Sequence, residues 1–275
     1  MKKNYVIKGS SQREMGVDIH FSIRENKSPV VIFCHGYKGF KDWGCWNLVG
    51  KEFSNKGFNF IKFNLSHNGT TVDFPEDFMD LEAFGNNNHS KELFDLKQVV
   101  DWVCETKEFE SKFDLSKIYL IGHSRGGGNV ILQSARDSRI KKAITWAGVS
   151  NHIARLSSNL DEWNKEGVIY QMNGRTKQNM PVFYQLYKNS IENKELIDIE
   201  KASKKITIPV LVIYGKEDVV VKEAEALNLT SWISNSKIKS IKNTGHTFDS
   251  KYPWDRETLP KSLEKVVAES IAFLK

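Results

Sequence analysis

The stretch Gly122-His123-Ser124-Arg125-Gly126 places a serine between glycines two residues before it and two after it. A serine hydroxyl is a poor nucleophile at neutral pH unless a base lies within hydrogen-bond reach. It must also stand clear of the backbone to meet a substrate carbon. Small residues at the two flanking positions let a strand and a helix pass closely on either side of a sharp, strained turn, and the turn lifts the hydroxyl out. The apolar run Ile118–Ile121 reads as the strand before the turn and Arg125–Ala135 as the helix after it. The amide of Arg125 then opens that helix, where the dipole favours developing negative charge. The chemistry available to such a serine is attack on a carbonyl. The bland reading is a glycine-rich turn in an ordinary strand–helix unit.

A base and an acid must complete the set, in the chain order serine, acid, histidine. Of seven histidines, only His152 and His246 follow Ser124. His246 lies in Asn243-Thr244-Gly245-His246-Thr247-Phe248, between an expected last strand and last helix, with Gly245 letting the loop bend. It is the first choice. His152 is the weaker one and reads better as an exposed or packing histidine. Val210–Tyr214 (VLVIY) is an apolar strand ending in Gly215-Lys216-Glu217-Asp218. Asp218 is the expected acid, which holds the imidazole tautomer and stabilises the imidazolium. Glu217 reads as a solvated neighbour able to substitute, and Asp249 as a loop residue. His35-Gly36-Tyr37 directly follows the apolar run Val30–Cys34, so the Tyr37 amide is expected to pair with the Arg125 amide as an oxyanion hole. His35 and His123 are expected to brace these loops.

Taken together, His35-Gly36-Tyr37, Gly122-His123-Ser124-Arg125-Gly126, Gly215-Lys216-Glu217-Asp218 and Gly245-His246 resemble the α/β-hydrolase superfamily across nearly the whole chain. The stretch from His35 to Gly44, then Phe63-Asn64-Leu65-Ser66-His67-Asn68-Gly69, and finally Tyr252-Pro253-Trp254 are similar to a bacterial group of dienelactone-hydrolase-like and feruloyl (cinnamoyl) esterase-like proteins. The resemblance implies an eight-stranded, mostly parallel sheet, a helical cap and carboxylic ester hydrolysis without a cofactor. The chain departs from dienelactone hydrolases proper in carrying Ser124 where they carry a cysteine. It identifies a reaction class better than a substrate.

The elements that must position these residues alternate short β-branched or aromatic runs with longer amphipathic stretches, the pattern of an α/β sheet with helical crossovers. Tyr5–Lys8 and Val17–Ile23 read as half-buried strands, Val30–Cys34 as a central strand covered on both faces, and Phe58–Phe63, Ala143–Trp146 and the edge segment Lys237–Ile241 as further strands. Helices are expected over Trp46–Lys56 with Gly57 closing it, Ser90–Glu105, and about Leu259 to Leu274. Between about Asn151 and Lys205 no strand is evident, and a structureless loop of that length is unusual. The expected division is therefore a hydrolase core, 1–150 and 206–275, with a helical lid over 151–205.

Substrate contacts are expected from lid aromatics (Trp163, Phe183, Tyr184, Tyr187) and from Phe40 and Trp43 near the mouth, which would suit a short acyl or hydroxycinnamoyl ester; the same rings could simply pack the lid. The 275 residues, 40% of them hydrophobic, can bury a substantial core. The net charge of +6 is carried by scattered lysines, with pairs such as Lys141-Lys142 and no long run, which speaks for a solvated surface rather than a nucleic-acid or membrane site. Three cysteines without CxxC spacing make a disulfide framework unexpected. No H-x-H or H-E-x-x-H pattern points to a metal. No segment approaches the length of a signal peptide's apolar region or a membrane span, so a cytoplasmic protein acting on small soluble esters is expected. Two rivals stay open: a peptidase on the same fold, and a hydrolase-fold protein that binds a ligand without turnover. Neither the oligomeric state nor a partner beyond the substrate is legible.

Overall fold

The computed structural model describes residues 2–275. Strand β1 (Lys2–Lys8), β2 (Glu14–His20) and β3 (Ser28–Cys34) lead to helix α1 (Trp46–Asn55), then β4 (Asn59–Phe63), α2 (Leu81–Gly85), α3 (His89–Glu105), β5 (Phe113–His123), α4 (Arg125–Ser134) and β6 (Ile140–Trp146). The intervening region holds α5 (Leu160–Glu166), β7 (Val168–Met172), β8 (Asn179–Phe183), α6 (Gln185–Glu192) and α7 (Ile199–Ser203). The chain finishes with β9 (Val210–Gly215), α8 (Glu223–Trp232), β10 (Ser236–Ile241) and α9 (Lys261–Leu274).

Eight strands form one sheet in the order β1-β2-β4-β3-β5-β6-β9-β10. The β1–β2 and β2–β4 pairs are antiparallel and the other pairs are parallel. Side chains alternate across a strand, and the inner stretches of β3 and β9 are apolar at successive positions because both faces are covered. On β3, Val30, Ile32 and Cys34 join the core on one face, while Val31 and Phe33 join the core on the other. Strands β5 and β9 divide in the same way, Ile118 and Leu120 against Tyr119 and Ile121, Val210 and Val212 against Leu211 and Ile213.

Local signals explain the element ends. The Asn88 side chain accepts a 3.0 Å bond from the Lys91 amide and caps α3. After α1 the chain turns through Gly57 at φ +89, with Gly57 N–H donating to Ser54 and Phe58 N–H to Phe53, a paired closure that a glycine makes cheaply.

The region over 151–205 departs from the helical lid expected. It contains a two-stranded antiparallel hairpin, Val168 opposite Phe183 and Met172 opposite Asn179. Val168-Ile169-Tyr170 is a β-branched and aromatic run, but the hairpin stands apart from the main sheet and its outer side exposes Tyr170 and Met172, so it lacks the clean burial pattern of a core strand. Helix α8 is also absent from the sequence reading; its apolar residues do not gather on one face, and only Ala226 and Leu229 are buried.

Candidate active site

Strand β5 delivers the serine. Ser124 has φ 57 and ψ −120, a region that non-glycine residues adopt only under constraint. The constraint is visible in its neighbours. A methyl group on Gly122 would lie 2.2 Å from the Gly126 carbonyl oxygen, and one on Gly126 would lie 2.3 Å from the Cys34 carbonyl oxygen. The turn closes only because both are glycine. The Ser124 amide donates to Trp146 O at 2.9 Å, and the Ser124 carbonyl accepts from Gly127 and Val149, so the turn is tied to β6 and the segment after it.

His246 Nε2 lies 3.0 Å from Ser124 Oγ, and His246 Nδ1 lies 2.7 Å from Asp218 Oδ2. Residues 122 and 28 positions from His246 are thus joined in one relay. With Nδ1–H donating to the carboxylate, Nε2 is left as the acceptor facing the hydroxyl. Asp218 is buried, and burial alone would raise its pKa. The His246 bond and the Val221 and Val220 amides, both 2.8 Å from Oδ1, outweigh that and hold the carboxyl below its ordinary value. Glu217 is exposed, and its amide donates to Thr244 O at 3.0 Å, fastening the histidine loop to the end of β9. The left-handed backbone of that loop falls on Asn243, Phe248 and Asp249, at φ 58, 52 and 65, rather than on Gly245. Asp249 accepts from Thr244 Oγ1 and Ser262 Oγ and braces the same loop.

The other histidines take supporting positions. His123 Nε2 is 2.9 Å from the His246 carbonyl oxygen, which ties the His246 backbone to the serine's neighbour. Burial, followed by the nearby His246, pushes the His123 pKa down to about 3, so the ring is neutral and donates that bond. His35 donates from Nδ1 to Gly36 O at 2.8 Å and accepts at Nε2 from the Leu65 amide, shaping the loop that carries Tyr37. His152 is neither exposed nor packed under the lid alone. It is buried and stacks on His89 with ring centroids 4.2 Å apart.

The Tyr37 and Arg125 amides make none of the backbone or side-chain hydrogen bonds of this region. Arg125 follows the serine directly as the first residue of α4, while Tyr37 comes from the loop after β3, where a methyl group on Gly36 would lie 2.9 Å from Ser124 Cβ. Their side chains, which the sequence reading left without a part, are stacked. The Arg125 guanidinium lies 4.0 Å from the Tyr37 ring centroid and pairs with buried Glu92 at 3.2 Å.

Beneath the same loop sits a ring of four buried charges. Lys41 and Lys62 each contact both Asp18 and Asp42, joining the loop to β2 and β4.

Two cavities meet at Ser124, Tyr37 and His246. The smaller, of about 130 Å³, is walled by Trp43, Trp46, His123 and Thr247. The larger, of about 300 Å³, runs along the 151–205 region past Arg125, His152 and Trp163. Of the expected substrate contacts, Trp43 and Trp163 line these cavities. Phe40, Phe183, Tyr184 and Tyr187 line neither. Phe40 is fully buried, edge-on to Phe78 and Tyr252, and Tyr184 stacks on Tyr187 beside Trp163, so these rings pack against other rings of one apolar cluster. Phe183 rests against Gly85 of α2. A roomier hollow of about 420 Å³ at the opposite end of β3 and β5 is lined by no serine or histidine.

Among the described residues, no group of three or more His, Cys, Asp or Glu side chains could hold a metal ion, and no helix is long and apolar enough to cross a membrane.

The family pattern described as alpha/beta hydrolase fold matches residues 88–250, more than half of the chain. Among solved structures, Est1E from Butyrivibrio proteoclasticus with ferulic acid bound superposes with a TM-score of 0.75 at 20% identity, over 98% of this chain and 97% of that one. An acetyl xylan esterase from Paenibacillus sp. R4 gives a TM-score of 0.63 at 16% identity, over 99% and 83%. At these identities the likeness is one of fold. An uncharacterized 31.7 kDa protein of the traX-finO intergenic region of Escherichia coli is 22% identical over 167 residues, 58% of this chain. The chain spans about half the length of the curated relatives it matches.

Proposed function

For a chain that belongs to the α/β-hydrolase fold family, we propose the activity of a serine carboxylic ester hydrolase acting on small soluble esters. Ser124 is the nucleophile, His246 the general base and acid, and Asp218 the residue that orients and stabilises the imidazolium. The observation that carries the reading is the continuous relay Ser124 Oγ, His246 Nε2, His246 Nδ1, Asp218 Oδ2, with its 3.0 and 2.7 Å bonds.

Ser124 Oγ attacks the ester carbonyl carbon while His246 Nε2 takes the hydroxyl proton. The carbonyl π electrons move onto oxygen, and the resulting oxyanion accepts hydrogen bonds from the Tyr37 and Arg125 amides. Collapse of the tetrahedral intermediate breaks the bond to the alcohol oxygen, which leaves with the proton from His246. A water molecule then attacks the acyl-enzyme, His246 again acting as base, and the acid departs. A cytoplasmic setting belongs to the same proposal and is suited by three cysteines that are all free thiols.

Hydrolysis of a 4-nitrophenyl ester series, acetate to octanoate with a hydroxycinnamate ester beside it, tests the reading on wild type and Ser124→Ala. Loss of a triad serine costs on the order of 10⁶ in kcat in a well-studied case. Comparable turnover by the alanine variant, or none by wild type, would overturn it. An aminoacyl amide assayed in parallel separates esterase from peptidase.

A further inference from the structure

The larger cavity has an uneven chemistry. From the 151–205 region it takes mainly apolar side chains, Leu156, Trp163, Ile169, Val182 and Leu186, with the neutral Ser157 and Gln171 among them, while Arg125, His152 and, at the rim, Arg155 supply its basic side chains. No aspartate or glutamate lines it. Arg125 is only 16% exposed, and its one carboxylate contact is Nη1 to Glu92 Oε1 at 3.2 Å. That is long for a bond between charged partners, which is usually about 2.7–2.9 Å. Glu92 is also engaged elsewhere, accepting from Asn87 Nδ2 at 2.7 Å and from Asn129 Nδ2 at 2.8 Å. The other N–H groups of the Arg125 side chain have no acceptor among the described residues. None of these nitrogens is among the buried side-chain atoms left without a partner, so the unused donors face the cavity that Arg125 lines, open to the acceptors of water or of a bound group.

His152 gives a second, independent sign. Its ring is 2% exposed and reaches the cavity wall, yet Nε2 has no partner, and neither nitrogen of the stacked His89 has one. Burial, then Arg125 and Arg155, lowers the His152 pKa to about 3. The neutral ring adds a hydrogen bond without adding charge. Arg155 is held at the rim by Glu225 and the Val220 carbonyl.

Resting on the hydrolase reading above, we propose that the larger cavity receives a carboxylate-bearing part of the substrate, so that the preferred ester is a half-ester of a dicarboxylic acid or an ester whose alcohol part carries a carboxylate. The planar fork of Arg125 matches the two oxygens of such a group, Tyr37 keeps the fork flat by stacking, His152 offers a further N–H, and Arg155 draws the anion in. The apolar lid wall takes the connecting carbons.

The test compares kcat/KM within matched pairs. The 4-nitrophenyl half-esters of glutarate and adipate are set against 4-nitrophenyl pentanoate and hexanoate for the acyl side. Then 4-acetoxyphenylacetate is set against 4-tolyl acetate for the alcohol side. The anionic member should lead by about tenfold or more on one side, and that lead should shrink as salt rises from low to high ionic strength. Arg125→Met and Arg155→Gln should each cut the anionic-to-neutral ratio at least fivefold, chiefly through KM for the anionic ester. Arg155 lies at the rim, so its variant remains informative if the Arg125 variant folds poorly. Neutral esters equal or better on both sides, or a ratio untouched in both variants, would overturn the proposal. Labelling of wild type at Ser124 by a fluorophosphonate keeps the two readings apart. Labelling with neutral esters preferred removes only the carboxylate site, whereas no labelling and no turnover of any ester removes the hydrolase reading beneath it.

Discussion

The guanidinium of Arg125 lies 4.0 Å from the centroid of the Tyr37 ring, so the first residue of α4 and the loop after β3 are locked together through their side chains as well as placed side by side at Ser124. Two amides that are to receive one oxyanion must keep a fixed separation, and a stacked pair restrained further by Glu92 supplies that rigidity.

Tyr37→Ala should therefore lower kcat although the Tyr37 backbone amide survives. Complete loss of one oxyanion donor costs about 10²–10³. Loosening a donor that remains should cost less, roughly tenfold, and Tyr37→Phe should restore most of it because the ring, not the hydroxyl, makes the stack. Steady-state kinetics on a short-chain 4-nitrophenyl ester reads both variants; a kcat for Tyr37→Ala equal to wild type removes the bracing role.

Asp218→Asn should leave the serine and histidine in place but destroy the tautomer control. An amide at position 218 can present N–H to Nδ1 and turn the Nε2–H toward Ser124. The expected loss in kcat is on the order of 10⁴ with little change in stability. Glu217→Gln, at an exposed neighbour, should stay within about twofold of wild type. Equal losses in the two variants would contradict the assignment of Asp218.

Gly126→Ala tests packing at the turn. The new methyl group would lie 2.3 Å from the Cys34 carbonyl oxygen and 2.5 Å from that of His35, both backbone atoms that cannot swing aside. Overpacking of this kind costs about 1–3 kcal/mol and sometimes more. Urea unfolding should show a loss of at least about 2 kcal/mol, or the protein should be recovered insoluble.

The ring of four buried charges predicts an acid-side instability. Burial would raise the Asp18 and Asp42 pKa values, but Lys62 and Lys41 outweigh it and hold both carboxyls below their ordinary value. Groups depressed in the folded state contribute stability that is fully present above the unfolded pKa, about 3.9, and is lost as pH falls through the folded value. Wild type should thus lose stability progressively below about pH 4, and Asp42→Asn should show a shallower slope there on top of a lower baseline. Lys62→Met leaves the two buried carboxylates to share Lys41 and should cost about 3–5 kcal/mol near neutral pH. Thermal or urea unfolding between pH 2 and 7 reads all three proteins.

Much of the candidate site's geometry was legible because its parts are short and local. Gly122, Ser124 and Gly126 encode a turn within five residues, and Asp218 and His246 each follow directly from the end of a strand, so burial pattern and chain order are enough to pick them out. Two inner strands were legible for a related reason: covering both faces of a strand favours apolar side chains at successive positions, and Val30–Cys34 and Val210–Tyr214 are apolar throughout. What only the tertiary structure decided are the relations between residues far apart in the chain. Nothing near Glu92 announces that it meets Arg125, nothing near His89 that it stacks on His152, and nothing near Lys62 that it closes a ring with Asp18, Lys41 and Asp42. The hairpin over 168–183 was missed because a strand pair set apart from the main sheet lacks the burial pattern on which strand recognition rests. The aromatic lid residues were ranked by type alone, and type does not tell a ring facing a cavity from one facing its neighbours. Trp163 reaches the cavity while Tyr184 and Tyr187 stack beside it, because side-chain direction is set by the packing of the folded lid and not by composition.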